Sequence, residues 1–213
     1  PVLFRPYHEM NGGWFWWGKN PRFDELWQQM FTHFTLTHKL NNLIWVWSPN
    51  CVVYGAGKLE DYYPGDAYVD ILASDIYANK SYDWEQYFHD DLLALAEGRP
   101  ISMGEVGDMP DPAYVKENQP KWTSFLMWSG YATQNANNAT RNSYVYNHEF
   151  SITRDELPPS LFDGTYLTTK SQFTIARKSD SGIKKGTRFA IPGSSSGLGA
   201  RLESHGSFGR APV

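Results

Sequence analysis

The sequence predicts an α/β protein built on a parallel sheet. Three observations carry that expectation. Short apolar runs alternate with segments of helical period, a strand–loop–helix unit recurring every few tens of residues. Most of these runs are continuously apolar rather than alternating, as strands covered on both faces are. Their carboxyl ends fall near Glu9, Pro49, Tyr77, Glu105 and Trp128, and in a (β/α)8 barrel that is the end where the site is built.

The first run, Pro1 to Phe4, reads as a buried strand. It is followed by Arg5-Pro-Tyr-His-Glu-Met-Asn-Gly-Gly-Trp-Phe-Trp-Trp-Gly18. Asn20 and Pro21 then supply a cap and a first-turn proline. Phe23, Leu26, Trp27, Met30, Phe31 and Phe34 recur with the period of one helix face, which predicts a helix to about Lys39. His33 and His38 read as structural or solvated. Asn42 to Ser48 is the second strand, stopped by Pro49-Asn50. Val52 to Asp66 reads as a long loop with one helical turn, and Tyr68 to Tyr77 as the third strand.

Asp83 caps a helix carrying Trp84, Tyr87, Phe88, Leu92 and Leu95, closed by Gly98. His89-Asp90-Asp91 on that helix reads as a solvated face. Pro100 to Met103 starts the fourth strand, which ends in Gly104-Glu105-Val106-Gly107. A short helix is expected after Asp111-Pro112, a fifth strand over Trp122 to Trp128, and a last helix over Asn137 to Tyr146. From 159 to 213 a poorly ordered tail is expected, its residues 171 to 213 rich in Gly, Ser, Lys and Arg without sustained period.

With 213 residues, 41% hydrophobic content and a net charge of −4, the chain suits one globular domain with a core of its own. There is no basic surplus to suggest nucleic acid, and no apolar run approaches a membrane span. The single Cys51 excludes an internal disulfide. The chain starts inside what reads as a strand, without an initiator methionine or a signal-peptide pattern, so upstream sequence is expected. Aromatic content is 16%, with nine Trp, which favours a carbohydrate-facing surface over core packing alone. Asn79-Lys-Ser and Asn138-Ala-Thr are glycosylation sequons.

Two glutamates, Glu9 and Glu105, end two strands, the first of them walled by indoles. A partly desolvated carboxyl can keep its proton for a leaving group while a second, ionised one attacks the anomeric carbon. The alternative for each is an ordinary Glu, beside a Trp-rich core in one case and on a tight turn in the other. For His8 it is a satisfied core histidine.

The segment around His8-Glu9 resembles the acid/base signature of glycoside hydrolase family 26, and Gly104-Glu105-Val106-Gly107 resembles its nucleophile signature. Asn42 to Pro49, Tyr63 to Asp70 and Trp128-Ser-Gly130 match as well, in the family's order, over about residues 1 to 158.

The resemblance implies a retaining endo-β-1,4-mannanase on a (β/α)8 barrel, with no metal or cofactor. It makes Glu9 the acid/base and Glu105 the nucleophile, with carboxyl groups about 5–5.5 Å apart. His8 would hold the sugar or the acid, and Trp14 would stack on the leaving-group side. Tyr77 would donate to the nucleophile, and Trp128 would floor the cleaved sugar. Trp16 and Trp17 are assigned to packing. Numbered by the family, the five strands would be strands four to eight, an incomplete barrel. That implies open edges prone to self-association and little activity without the upstream part. The implied partner is β-mannan, a polymer too large to cross a membrane, so secretion is expected. A non-hydrolytic carbohydrate-binding fragment, and β-1,3-xylan or mixed-linkage glucan as substrate, are the other readings.

Overall fold

The computed structural model describes residues 1–51, 58–77, 89–134 and 137–159. The expected tail from residue 160, the Asn79 sequon and the Asp83 to Phe88 start of the second helix lie outside the described residues.

Among the described residues, five strands form one sheet: β1 (Val2–Phe4), β2 (Leu43–Trp47), β3 (Ile71–Ile76), β4 (Ile101–Val106) and β5 (Trp122–Phe125). Every pairing is parallel, and the order is β1-β2-β3-β4-β5. A sheet that adds each new strand on the same side of the last is singly wound, as in a (β/α)8 barrel. A doubly wound sheet reverses direction part-way. The fold is therefore an incomplete (β/α)8 barrel of five parallel strands, as expected. β2, β3 and β4, flanked on both sides, are the buried strands. β1 is an edge, and its Val2 and Leu3 are exposed.

Helix α1 (Phe23–Thr32) buries Phe23, Trp27 and Phe31, spaced four apart on one face, and carries Asp24 and Glu25 in its first turn, where the helix dipole favours them. Trp45 of β2 meets that face. Its ring lies 6.0 Å from Trp27, 4.9 Å from Phe31 and 5.2 Å from Phe4, centroid to centroid. This aromatic layer is the centre of the core and ties α1 to the strands beneath it. Helix α2 (His89–Ala96) packs on β3 and β4. Helix α3 (Pro112–Asn118) begins at Asp111, whose side chain accepts from the Ala113 and Tyr114 amides. Helix α4 (Ala139–Tyr146) begins at Asn138, which accepts from Arg141.

Several boundaries differ from expectation, the start of α1 among them, where Arg22 and not Asn20 stands at the N-cap and no side chain caps the helix. The first helix stops being an α-helix at Thr32 and continues as a π-helical turn, His33–Thr37, closed by the His38 amide on the His33 carbonyl at 3.0 Å. Thr35 bonds back to the Phe31 carbonyl at 2.6 Å there, a local competitor for the helical ladder. β3 starts at Ile71 rather than Tyr68, because Asp66–Tyr68 form a single 3-10 turn after Gly65, whose φ is 101°. β5 ends at Phe125 rather than Trp128, although Leu126 still exchanges backbone bonds with Met103 and Val106 of β4.

Candidate active site

Glu105 lies on β4, opposite Asp75 of β3 in the sheet register. The residue is 4% exposed, and its carboxylate collects donors from three directions. Arg5, one residue past β1, donates to Oε1 at 2.5 Å. Tyr77, one residue past β3, donates its hydroxyl to Oε2 at 2.5 Å, and the Trp128 indole N–H reaches the same oxygen at 2.8 Å. Burial works to raise this carboxyl. The donors from Tyr77, Arg5 and Trp128, with the charge of Arg5, outweigh burial and hold it below the ordinary glutamate value. The group is built to stay ionised.

Arg5 also grips Asp75, with its Nη1 at 3.0 and 2.9 Å from the two carboxylate oxygens. Ser48, at the end of β2, donates to Asp75 Oδ1 at 2.6 Å. Asp75 is fully buried, and burial pushes its carboxyl well above the usual aspartate range against the pull of Arg5. Its charge is thus conditional on that guanidinium. Gly104 makes the crowding possible: a Cβ there would stand 2.3 Å from Ser48 Oγ and 2.5 Å from Asp75 Oδ1.

Glu9 sits in the turn that follows β1. Tyr7 and Glu9 both adopt positive φ, 49° and 53°, and the Glu9 amide is pinned to the Ser48 carbonyl at 2.7 Å. Non-glycine residues hold such a conformation only where the surroundings enforce it. Asn50 donates to Glu9 Oε1 at 2.7 Å, and the Trp14 indole N–H donates to Oε2 at 2.6 Å. Asn50 is itself fixed by Asn11, through a reciprocal pair of bonds at 2.8 Å each. Gly12 lies under the Trp14 ring, where a Cβ would come within 2.2 Å of it.

In a flat sheet β1 and β4 would be three strand spacings apart, about 14 Å. Arg5 nevertheless touches both Asp75 and Glu105. The sheet must therefore curl, so that the end of β1 swings toward the end of β4. His8, beside Glu9 in the chain, has its Nε2 3.7 Å from Glu105 Oε1. Burial, then the Arg5 charge, lower the His8 pKa and favour the neutral ring. Ligand atoms of His8, Asp75 and Glu105 fall within 4.8 Å of one another. Arg5 supplies a cation to both carboxylates of this trio.

Residues 1–156 match the family model for Glycosyl hydrolase family 26. The chain belongs to that family. It is 34% identical over 161 residues to the mannan endo-1,4-beta-mannosidase of Thermothelomyces thermophilus, covering 74% of this chain and 32% of that protein. It is 36% identical over 169 residues to a mannan endo-1,4-beta-mannosidase of Bacillus subtilis, covering 68% of this chain and 45% of that one. Among solved structures, GH26A from a Muricauda species superposes with a TM-score of 0.67 at 47% identity, over 74% of this chain and 52% of that chain. The Podospora anserina GH26-CBM35 β-(1,4)-mannanase superposes with a TM-score of 0.62 at 36% identity, over 73% and 34%. This glycoside hydrolase family 26 chain thus spans less than half the length of these curated relatives.

The structure gathers the residues singled out from the sequence into two clusters. Glu105 carries Tyr77 and Trp128, with His8 close by, and Glu9 carries Trp14. Two assignments need correction. Trp16, expected to pack, is 72% exposed, its ring meeting Tyr7 and Trp17 edge-on. Trp17 does pack, donating to the His8 carbonyl. His89, expected on a solvated face, is buried against Trp122, ring centroids 5.5 Å apart, while Asp90 is exposed.

Sequence reasoning missed Arg5, Ser48, Asn50 and Asp75, and gave Asn11 no role beyond its place after Glu9. For Asp75 a signal existed: an acid inside the run Ile71-Leu-Ala-Ser-Asp-Ile76, where both faces of the strand are covered, needs a buried partner.

Proposed function

We propose that this site performs retaining hydrolysis of β-1,4-mannan. Glu105 attacks the anomeric carbon as its bond to the leaving oxygen breaks, and Glu9 gives that oxygen a proton. The covalent glycosyl–Glu105 ester is then opened by water, from which Glu9 takes a proton back. The observation that carries this reading is the asymmetry of the two carboxylates. Glu105 is surrounded by Arg5, Tyr77 and Trp128, donors suited to an ionised nucleophile. Glu9 is held by a neutral amide and an indole. Trp14 and Trp128, each about half exposed, are bound to the carboxylates by their N–H edges. Their faces are then available to pyranose rings on the leaving and cleaved sides. Family membership and the mannan-degrading relatives support the substrate class.

In this reading the polymer is met outside the cell, and the exposed β1 edge, with Leu3 67% exposed, is the surface for self-association. Sedimentation over a concentration series tests the latter. The function is tested by release of reducing sugar from β-mannan. Release that is lost in Glu105→Ala supports the enzyme, and NMR of the first product should show the β-anomer. Retention on a mannan gel without release points instead to a binding fragment, and initial release of the α-anomer overturns the retaining mechanism. Endoglucanase H of Acetivibrio thermocellus is 30% identical over 138 residues, so mixed-linkage β-glucan belongs in the substrate panel beside β-1,3-xylan.

A further inference from the structure

Away from the carboxylates, the π-helical turn at the end of α1 does something an α-helix would not. One turn of π-helix sets residues five apart on the same side, and here those residues are His33 and His38. Both are exposed, and their Nε2 atoms lie 3.0 Å apart. The rings are nearly perpendicular, at 85°, with centroids 4.6 Å apart. That centroid distance is too short for rings meeting head-on, so the ring axes meet at an angle and the N–H···N bond between them is bent. Two imidazole nitrogens bound at about 2.0–2.1 Å to one ion, at angles from square to tetrahedral, stand about 2.9–3.4 Å apart. The observed separation falls inside that interval.

We infer that His33 and His38 form a two-imidazole site for a divalent transition-metal ion, with water completing the coordination. Three features position the site. The His38 amide closes the π turn on the His33 carbonyl. Thr35 bonds back to Phe31, whose ring is anchored on Trp45. The His33 ring leans on Phe34, centroids 6.5 Å apart. In the metal-free pair one Nε2 must carry a proton toward the other. On metal binding that ring passes to its Nδ1–H tautomer, which frees both lone pairs for the ion. Imidazole ligands suit zinc, nickel and copper rather than magnesium or calcium. A tie across the turn would fasten the end of α1, since any ligand of the folded state alone raises its stability.

The test is calorimetric titration of the full chain with zinc chloride and, separately, copper chloride, with thermal unfolding followed in parallel. One ion should bind per chain, copper more tightly than zinc, and the melting temperature should rise with metal. His33→Gln and His38→Gln should each weaken binding at least tenfold and remove the metal-dependent rise. Both should melt at the parent temperature without metal, which shows that they fold. Lack of binding up to millimolar metal overturns the proposal. So does binding that both substitutions leave intact, which would move the ion to His8, Asp75 and Glu105.

Discussion

Replacing Arg5 with Met tests how the Glu105 charge is maintained. Arg5 is the shared cation of Asp75 and Glu105, at 2.9 and 2.5 Å. Its removal leaves two buried carboxylates facing each other in register, with only neutral donors. A hydrogen bond to a charged group contributes about 1.5–3 kcal/mol. At 1.36 kcal/mol per pKa unit, the Glu105 carboxyl should rise by about one to two units. The sign follows from the ionised form being the active one. Activity exists above the Glu105 pKa and is lost as pH falls through it, so raising that pKa moves the acidic limb of the profile to higher pH. Asp75, already pushed up by burial, should take a proton first and limit the shift to the lower end of that range. The assay is kcat/KM on a soluble manno-oligosaccharide against pH. Trp128→Phe, which removes one neutral donor, is the milder companion, with an expected rise of about half a unit to one unit. Acidic limbs that stay in place in both variants, or move to lower pH, would refute the electrostatic account of Glu105.

Gly104→Ala drives a methyl into Ser48 and Asp75, and should cost about 1–3 kcal/mol of stability by overpacking. Denaturant melts check this, and activity should fall with it because Asp75 moves. Gly12→Ala pushes on the Trp14 ring, which is half exposed and can swing away. Turnover should drop while the melting temperature barely changes. Trp27→Ala, in the aromatic layer with Trp45, should cost about 3–5 kcal/mol. Trp16→Ala should leave the melting curve where it was, because that side chain is mostly in solvent; a comparable loss in both would contradict the burial pattern.

Local signals carried further for the fold than for the site. Spacing placed α1, and Asp111-Pro112 placed α3, because cap chemistry and helical period are written within a few residues. The π turn after Thr32 was not legible, since Phe34 and Leu36 continue an apolar pattern that an α-helix would also use. The burial of His89 was hidden for another reason: its partner, Trp122, lies on a different strand. Glu9 and Glu105 could be picked out because each ends an apolar run beside glycines or indoles. Arg5, Ser48, Asn50 and Asp75 could not be assembled, as each is an ordinary residue until its partners are known.

The sequence alone thus determined where the five strands and most of the helices lie, that the strands run parallel, and that one acid, Glu105, stands at the end of the fourth strand. Those properties depend on neighbours within a turn or a strand. Tertiary structure alone decided that a guanidinium past β1 reaches carboxylates on β3 and β4. It also decided that Trp128 and Tyr77 share one oxygen of Glu105, and that two exposed imidazoles meet. Such contacts join residues up to a hundred positions apart, and it is the curl of the sheet and the pitch of a helical turn that bring them within bonding distance.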